Sequence, residues 1–225
     1  MIHTQAEATD LVVIGGGPAG MMCAYQAAKR GVRVTLLEPN EKLGRKLRIT
    51  GKGRCNLTNN CDIKTVLANI PGDGRFLYSA LNRFSPADVM AFFEENGLPL
   101  KTERGSRVFP CSDNANDVAD TMAKLCRAVG VRIRRTAAKQ ILAENGAVAG
   151  VVTAEGRIDC RATAVCTGGL SYPPHRLKGR GLFLCRSPGT QPLTAQTLPC
   201  PPGERGRLLR RDAGLFPQKR VPLGL

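Results

Sequence analysis

Residues 15–20 have the types and the spacing of a turn that binds a dinucleotide. They read Gly-Gly-Gly-Pro-Ala-Gly, which fits G-x-G-x-x-G, and an acidic residue, Glu38, follows eighteen positions after the last glycine. In such a turn the first glycine permits a tight bend, the second lets the backbone approach a pyrophosphate, and the third lets a helix pack against a strand. The pattern therefore predicts that this segment binds a dinucleotide.

The elements that must position this turn are a strand, a helix and a second strand. Residues 11–14 are an apolar run that ends at the turn, residues 18–30 carry apolar side chains at helical spacing, and residues 32–37 form another buried run. A strand, a helix and a strand in such quick succession form a βαβ unit with parallel strands. The diphosphate is then expected at the helix N-terminus, where free N–H groups and the helix dipole favour negative charge.

The carboxylate of Glu38 selects among the dinucleotides. At the end of the second strand it can accept hydrogen bonds from the adenosine ribose hydroxyls, and it repels a 2′-phosphate, which disfavours NADP at this site. A nicotinamide-binding Rossmann domain normally continues with βαβ units after its second strand. Here residues 39–130 intervene before the next strand of the sheet, so FAD is favoured over NAD.

Short strands follow from residue 131, with Asn145-Gly146 and Glu155-Gly156 as turn signals between them. Residues 162–166 form a last strand, which stops at Thr167-Gly168-Gly169. This crossover meander resembles the FAD-binding domain of flavoproteins with two dinucleotide-binding domains, and the AVCTGG segment resembles their second flavin motif. The predicted fold class is α/β, a Rossmann-like FAD-binding domain with a parallel sheet and a crossover β-meander.

The intervening region begins with a long, polar and basic loop at residues 38–60, and long loops in compact domains are usually functional or disordered. A helix is predicted from Ser85 to residue 96, because a capping residue precedes proline at the first turn. A hairpin is predicted over residues 98–109, and a further helix over residues 116–129.

Three segments are similar to one bacterial family of FAD-binding flavoproteins, whose members are described as aminoacetone oxidase-like or as 3-dehydro-bile-acid Δ4,6-reductases. They are EPNEKLGRKLRITGKGRCNLTNN, VFPCSDNANDV and TGGLSYP. The resemblance covers residues 10–173, the expected N-terminal part of an FAD-binding domain, with a helical and hairpin insertion at about residues 62–129. It implies an FAD-dependent oxidoreductase linked to NAD(P)H or to oxygen, with a small-molecule substrate.

The glycine turn and the resemblance together give a set of predicted cofactor-binding residues, in which Arg45 and Lys46 could neutralise a diphosphate. In the related flavoproteins, the stretch at residues 131–141 passes the adenine, with a backbone contact near Ala138. Neither the residues nor the resemblance identifies a catalytic acid or base, and flavins do much of the chemistry themselves. The predicted cofactor-binding residues are Gly15, Gly17, Pro18, Ala19, Gly20, Glu38, Pro39, Gly44, Arg45, Lys46, Gly53, Arg54, Cys55, Asn56, Ala138, Thr167 and Gly168.

Alternatives stay open for two residues of this set. Arg54 can be a solvated basic residue and Cys55 a thiol of the core, with no contact to a cofactor. A redox-active Cys55 would need a partner thiol, and Cys61 lies six residues away. The nine cysteines contain no C-x-x-C pair and do not cluster with either histidine, so we expect reduced thiols and no metal site.

The net charge of +15 raises the question of nucleic acid as a partner. Residues 174–225 hold ten Lys and Arg against two acidic residues, and eight of the fifteen prolines. Read one base later, their possible codons allow three successive segments of the flavoprotein family. We therefore interpret residues 174–225 as a frameshifted tail, which we expect to be disordered, and the chain as the truncated form of a longer flavoprotein.

These observations lead to one function and one rival. The function is that of a cytoplasmic FAD-dependent oxidoreductase of unknown substrate that binds neither nucleic acid nor a membrane. The cytoplasm is expected because no signal peptide and no long apolar run is seen. The rival is an inactive fragment of such a flavoprotein. The basic nucleic-acid-binding alternative depends on the net charge and loses its support once the tail is set aside.

Overall fold

The computed structural model describes residues 9–70 and 73–168, in which the chain forms two compact units. The first unit contains residues 9–47 and 122–168, and the second contains the described residues between 48 and 121. The tail predicted for residues 174–225 lies outside the described residues.

The strands are β1 (Leu11–Ile14), β2 (Val34–Leu37), β3 (Thr58–Asn59), β4 (Leu100–Glu103), β5 (Arg107–Pro110), β6 (Arg132–Arg134), β7 (Ala138–Glu144), β8 (Ala147–Thr153), β9 (Gly156–Asp159) and β10 (Ala162–Val165). The α-helices are α1 (Pro18–Ala28), α2 (Ile63–Ala68), α3 (Tyr78–Arg83), α4 (Pro86–Glu95) and α5 (Ala115–Ala128). Two 3-10 segments are Leu47–Gly53 and Gly74–Leu77.

The first unit is built on a parallel sheet with the strand order β10-β1-β2-β6. Leu11 pairs with Val34 on one side and with Ala162 on the other, so β1 is a central strand. All four residues of β2 are buried, as expected for a parallel strand that is covered on both faces. The predicted βαβ unit and the Rossmann-like fold class are confirmed.

The predicted meander is also confirmed, because β7, β8 and β9 form a three-stranded antiparallel sheet. Asn145 and Gly146 join β7 to β8 and both have positive φ, 52° and 77°, as a two-residue hairpin turn of this kind requires. Val151 and Ile158 of the meander share a buried cluster with Val12 of β1. The meander therefore packs on the parallel sheet and completes the core of this unit.

The second unit contains the β3-β5-β4 sheet, and α4 packs against β3 and β4. Ser85 caps α4, and its hydroxyl and the carboxylate of Asp88 form a capping box with the two backbone N–H groups. The predicted helix and hairpin are thereby confirmed. The division between the units falls within α5.

The structure differs from the sequence-based expectation mainly in the region between residues 47 and 83. The two 3-10 segments, the two-residue strand β3 and the short helices α2 and α3 lie where no element was predicted. Asp62 and Asp73 cap two of these segments by accepting hydrogen bonds from backbone N–H groups. Elements this short contain too few residues for a helical or strand periodicity to be recognised in the sequence.

Candidate functional site

Close backbone packing requires glycine at two positions of the turn between β1 and α1. Gly15 has a φ of +108°, and a side-chain Cβ there would lie 2.6 Å from the carbonyl oxygen of Cys166. A Cβ at Gly20 would lie 1.8 Å from the carbonyl oxygen of Gly15. No side chain fits at either position, so both glycines are needed to bring α1 against the end of the sheet.

Gly17 has a different environment, because a Cβ at this position would meet no atom of residues 9–70 and 73–168 within 4 Å. Gly17 is the N-cap of α1 with φ −75°, Pro18 follows at the first turn, and no side chain caps the helix. The first turn of α1 also holds no acidic residue. Among the described residues, the N-terminus of α1 is thus open at Gly17. Since the first N–H groups of a helix have no partner within the helix, this arrangement can bind a phosphate group.

Glu38 lies directly after β2 and is only 6% exposed. Its Oε2 accepts a hydrogen bond from the backbone N–H of Gly16 at 2.8 Å, and its Oε1 accepts from the N–H of Asn40 at 2.9 Å and from Nδ2 of Asn40 at 2.5 Å. A carboxylate offers about four lone-pair sites, and these three bonds leave room for one more donor. Glu38 therefore braces the glycine turn and still has an acceptor site for a ribose hydroxyl.

A second segment, residues 43–46, closes on the same turn. The N–H of Gly44 donates to the carbonyl oxygen of Gly16 at 2.8 Å, and the side chain of Leu43 fills the space next to Gly16. The Nζ of Lys46 lies 3.7 Å from the Cβ position of Gly168. Lys46 thus brings a positive charge to the end of β10, as expected for a residue that neutralises a diphosphate.

Three other predicted residues of the first unit are Arg45, Ala138 and Thr167. Arg45 is exposed, and its Nη1 donates to Oδ1 of Asn40 at 3.2 Å. Ala138 is buried in the core cluster, so a contact from it to a cofactor would be a backbone contact. Thr167 follows Cys166, whose backbone lies against Gly15. The structure brings together in this unit the predicted residues Gly15, Gly17, Pro18, Ala19, Gly20, Glu38, Pro39, Gly44, Arg45, Lys46, Thr167 and Gly168.

The predicted residues Gly53, Arg54, Cys55 and Asn56 lie in the second unit, in a loop with a left-handed backbone. Gly51, Lys52, Gly53 and Cys55 all have positive φ, between 55° and 85°. The N–H of Cys55 donates to the carbonyl oxygen of Thr50 at 3.0 Å and closes the turn. Positive φ at Lys52 and Cys55 is unfavourable for residues with a side chain, and such strain is found mostly at functional sites.

Arg54 is engaged with side chains of its own unit. Its guanidinium forms ion pairs with Glu103 and Asp113, and it stacks 4.3 Å from the centre of the Phe109 ring. Hydrogen bonds from Arg54 hold the pKa of Glu103 below its ordinary value, and Lys101 and Arg54 together lower the pKa of Asp113. The positive charge of Arg54 is therefore neutralised within the second unit.

Cys55 and Asn56 are the two further residues of this loop that the sequence singled out. Cys55 is fully buried, and burial raises the pKa of its thiol. Burial and the adjacent Asp62 likewise raise the pKa of Cys61. Both residues are free thiols, and raised pKa values oppose the thiolate that a flavin–disulfide mechanism requires. Oδ1 of Asn56 is buried and has no hydrogen-bond partner within the described part of the chain.

Sequence reasoning missed the residues that hold the predicted ones in place. Asn40 and Leu43 brace the glycine turn, and Phe109, Glu103 and Asp113 fix Arg54. The VFPCSDNANDV segment, which includes Phe109 and Asp113, was a usable signal, because it belongs to the same set of distinctive segments as Arg54.

We expect Glu38→Gln to weaken FAD binding by roughly 1–3 kcal/mol, the typical cost of a polar contact that loses its partner. The glutamine has to place its NH₂ group either against the N–H of Gly16 or against the N–H and Nδ2 of Asn40, and either choice leaves one donor facing another. The check is an FAD titration followed by fluorescence, with a thermal melt of the protein without FAD as control. Unchanged affinity would remove Glu38 from the ribose site.

We expect Arg54→Met to lower the Tm at pH 7 and to do so less at pH 3. The pKa values of Glu103 and Asp113 are lowered in the folded chain, so their ion pairs stabilise it above an ordinary carboxyl pKa of roughly 4 and are lost as the pH falls. Arg75→Met is the matched control, because Arg75 pairs with Asp73 on the surface and should matter little.

The same Arg54→Met variant tests whether Arg54 stabilises the second unit through its ion pairs or binds the diphosphate of FAD. If the charge of Arg54 is already neutralised, the dependence of FAD affinity on salt concentration should equal that of the wild type. A weaker salt dependence in the variant would instead place Arg54 on the diphosphate.

Comparison with protein families identifies the architecture independently. The model of the "HI0933-like protein Rossmann domain" matches residues 9–191. The match therefore includes the glycine turn, Glu38, the left-handed loop and β10, and it extends past Pro173. The described residues fit FAD where they can be tested, at the open helix N-terminus and at the acceptor site of Glu38.

Two curated proteins that are similar to this chain carry the names of different enzymes. The chain is 30% identical over 168 residues to the "Ribosomal RNA dihydrouridine synthase" of Escherichia coli, covering 74% of this chain and 41% of the relative. It is 31% identical over 180 residues to the "3-dehydro-bile acid delta(4,6)-reductase" of Clostridium scindens, covering 79% of this chain and 43% of the relative. The chain thus spans about two fifths of the length of these relatives.

The fold also matches two solved dehydrogenase structures. The 3-ketosteroid-Δ4-(5α)-dehydrogenase of Rhodococcus jostii aligns with a TM-score of 0.56 at 15% identity, over 75% of this chain and 47% of that one. The L-proline dehydrogenase of P. horikoshii aligns with a TM-score of 0.52 at 18% identity, over 72% of this chain and 53% of that one. At such low identity these likenesses show the fold alone.

Two properties of the described residues concern membranes and metal ions. Within residues 9–70 and 73–168, no helix combines the length and the apolar character needed to span a membrane. In the same part of the chain, no three His, Cys, Asp or Glu side chains are grouped so that they could hold a metal ion.

Proposed function

Because the chain belongs to the HI0933-like Rossmann domain family, we propose that it is the FAD-binding part of an oxidoreductase that reduces a carbon–carbon double bond conjugated to a carbonyl group. The observation that carries the cofactor assignment is the open N-terminus of α1 at Gly17, with the carboxylate of Glu38 next to it. The chemistry that reduced FAD supplies when it is bound is hydride transfer.

The names of the two relatives support the reaction class. Dihydrouridine is uridine in which a double bond next to a carbonyl group has been saturated, and a 3-dehydro bile acid with Δ4,6 unsaturation carries double bonds conjugated to its 3-keto group. The substrates differ in size and polarity, but the bond that gains hydrogen has the same character in both. The shared feature is the reaction, and this is what we carry over to the present chain.

The residues of this chain have binding and positioning roles in the proposed function. In this proposal the N–H groups at Gly17 and Ala19 and the charge of Lys46 would hold the diphosphate, and Glu38 would hold the ribose. The unpartnered Oδ1 of Asn56 marks the left-handed loop as a further candidate contact, because buried polar atoms are nearly always paired in a complete complex. NAD(P)H is the proposed reductant.

The substrate and the cellular location stay predictions. The RNA-modifying relative and the bile-acid relative are almost equally similar to this chain, so the expectation that nucleic acid is not a partner has to be decided by experiment. The cytoplasm remains the expected compartment. The rival function, an inactive fragment, is decided by whether the chain binds FAD.

The proposal is tested in two steps on the 225-residue chain. FAD is first titrated into the protein, and a stoichiometric yellow complex is expected, with the Gly17→Val variant as the control that should not bind. The complex is then reduced by light without oxygen and mixed with a conjugated enone, a saturated ketone of the same skeleton, or a uridine-containing RNA.

Reoxidation by the enone and not by the saturated ketone is the expected result. Reoxidation by the RNA alone would replace the small-molecule prediction with an RNA substrate. A bound flavin that neither the enone nor the RNA reoxidises would overturn the reaction class, and a chain that binds no FAD would support the inactive fragment.

A further inference from the structure

Two cysteine residues lie next to the tightly packed glycines of the dinucleotide turn. Cys166 directly follows β10, and its N–H donates to the carbonyl oxygen of Ile14 at 2.8 Å. Its carbonyl oxygen occupies the place that a side chain at Gly15 would need. The backbone of Cys166 is therefore fixed at the point where the sheet meets the turn.

Cys23 lies on the helix that starts at this turn. It follows Gly20 by three positions on α1, so the two residues lie on neighbouring positions of one helix face. A Cβ at Gly20 would lie 3.3 Å from the Cβ of Cys166, which puts the Cys166 side chain against that face.

The surroundings of the Cys166 thiol shift its pKa. Burial raises the pKa of the Cys166 thiol, and the neighbouring Cys23 thiol raises it further by charge and by hydrogen bonding. Both residues are free thiols and are half-buried. Because a peroxide reacts with the thiolate, the raised pKa of Cys166 makes the oxidation slow at neutral pH and faster as the pH rises. Cys126 differs, because it is fully buried and its S–H donates to the carbonyl oxygen of Met21 at 3.3 Å.

We propose that Cys23 and Cys166 are a modification site, at which a peroxide oxidises the two thiols to an intramolecular disulfide. Hydrogen peroxide takes up two electrons from the pair. Both S–H bonds and the O–O bond break, one S–S bond forms, and the two protons leave with the oxygen atoms as two molecules of water. The disulfide joins the end of β10 to α1 across Gly20.

Trypsin makes the test direct, because it separates these cysteines from all the others. The peptide of residues 1–29 contains Cys23 alone, and the peptide of residues 162–176 contains Cys166 alone. The 225-residue chain is treated with hydrogen peroxide, its remaining thiols are alkylated in denaturant, and the digest is analysed without reductant by mass spectrometry. The expected product is the two peptides linked, lighter than their sum by two hydrogen atoms, which a dithiol reductant separates.

Two controls keep the test specific. The peptide of residues 125–127 carries Cys126, whose thiol is buried with a pKa of about 11, and it should be recovered alkylated and unlinked. In the Cys23→Ser variant the linked species should disappear, while a thermal melt shows that the variant is folded. The test requires no FAD, so its result is independent of the proposed function.

Three results would overturn the proposal. The first is recovery of both peptides as free alkylated thiols while the exposed Cys111 is oxidised. The second is linkage spread over many cysteine pairs without preference. The third is a Cys23→Ser variant in which Cys166 forms an equal amount of disulfide with another cysteine.

Discussion

Gly17→Val should abolish FAD binding while the Tm of the protein without FAD stays close to that of the wild type. The φ of Gly17 is −75°, and no atom of the described part of the chain lies within 4 Å of its Cβ position, so this part of the fold accepts a side chain there. The same space is where the diphosphate has to approach the N–H groups of α1. We expect affinity to fall by roughly a hundredfold or more, equivalent to about 3 kcal/mol.

The measurement is an FAD titration at constant ionic strength, accompanied by a thermal melt without FAD. Gly17→Ala serves as a graded control and should weaken binding less, because one methyl group takes less of the space. Full flavin stoichiometry in the valine variant, with wild-type affinity, would mean that the diphosphate does not lie at the N-terminus of α1.

Gly20→Ala should have the opposite profile and destabilise the fold itself. A Cβ at Gly20 would lie 1.8 Å from the carbonyl oxygen of Gly15, and both partners are backbone, so the helix has to move away from β1. Overpacking of a rigid site costs about 1–3 kcal/mol and sometimes more, and we expect the upper end of this range because no flexible side chain can yield.

Urea unfolding of the two alanine variants tests this contrast. Gly17→Ala and Gly20→Ala introduce the same methyl group three residues apart on the same turn, so a difference in their free energies of unfolding reports local packing alone. Equal stability of the two variants would contradict the close approach of α1 to β1. A loss of FAD by Gly20→Ala is expected as a secondary result of the displaced helix.

The sequence was sufficient for the parts of the fold in which local pattern and tertiary role agree. The β1-α1-β2 unit, the meander with its Asn145-Gly146 turn and the capped start of α4 were predicted because each has its own signal in consecutive residues. The identity of Glu38 as a site residue came from its distance to the last glycine, which the βαβ geometry fixes.

The remaining features depend on residues that are far apart in the sequence. The left-handed backbone at Lys52 and Cys55 is unfavourable locally and has no sequence signal. The pairing of Arg54 with Glu103 and Asp113 joins positions about 50 residues apart, which charge type alone cannot identify. Similarly, the hydrogen bond from the N–H of Gly16 to Glu38 joins residues 22 positions apart, and the sequence-based prediction for Glu38 named only its ribose contact.

The position of β10 beside β1 has a consequence for synthesis on the ribosome. Leu11 is among the first structured residues to be made, yet its pairing with Ala162 closes the parallel sheet. A nascent chain therefore leaves one edge of a central, apolar strand open until the meander and β10 have emerged, and unpaired strand edges are prone to aggregation. A pause in translation before β10 should lower the yield of native protein more than a pause after it, which pulse-labelling of nascent chains would reveal.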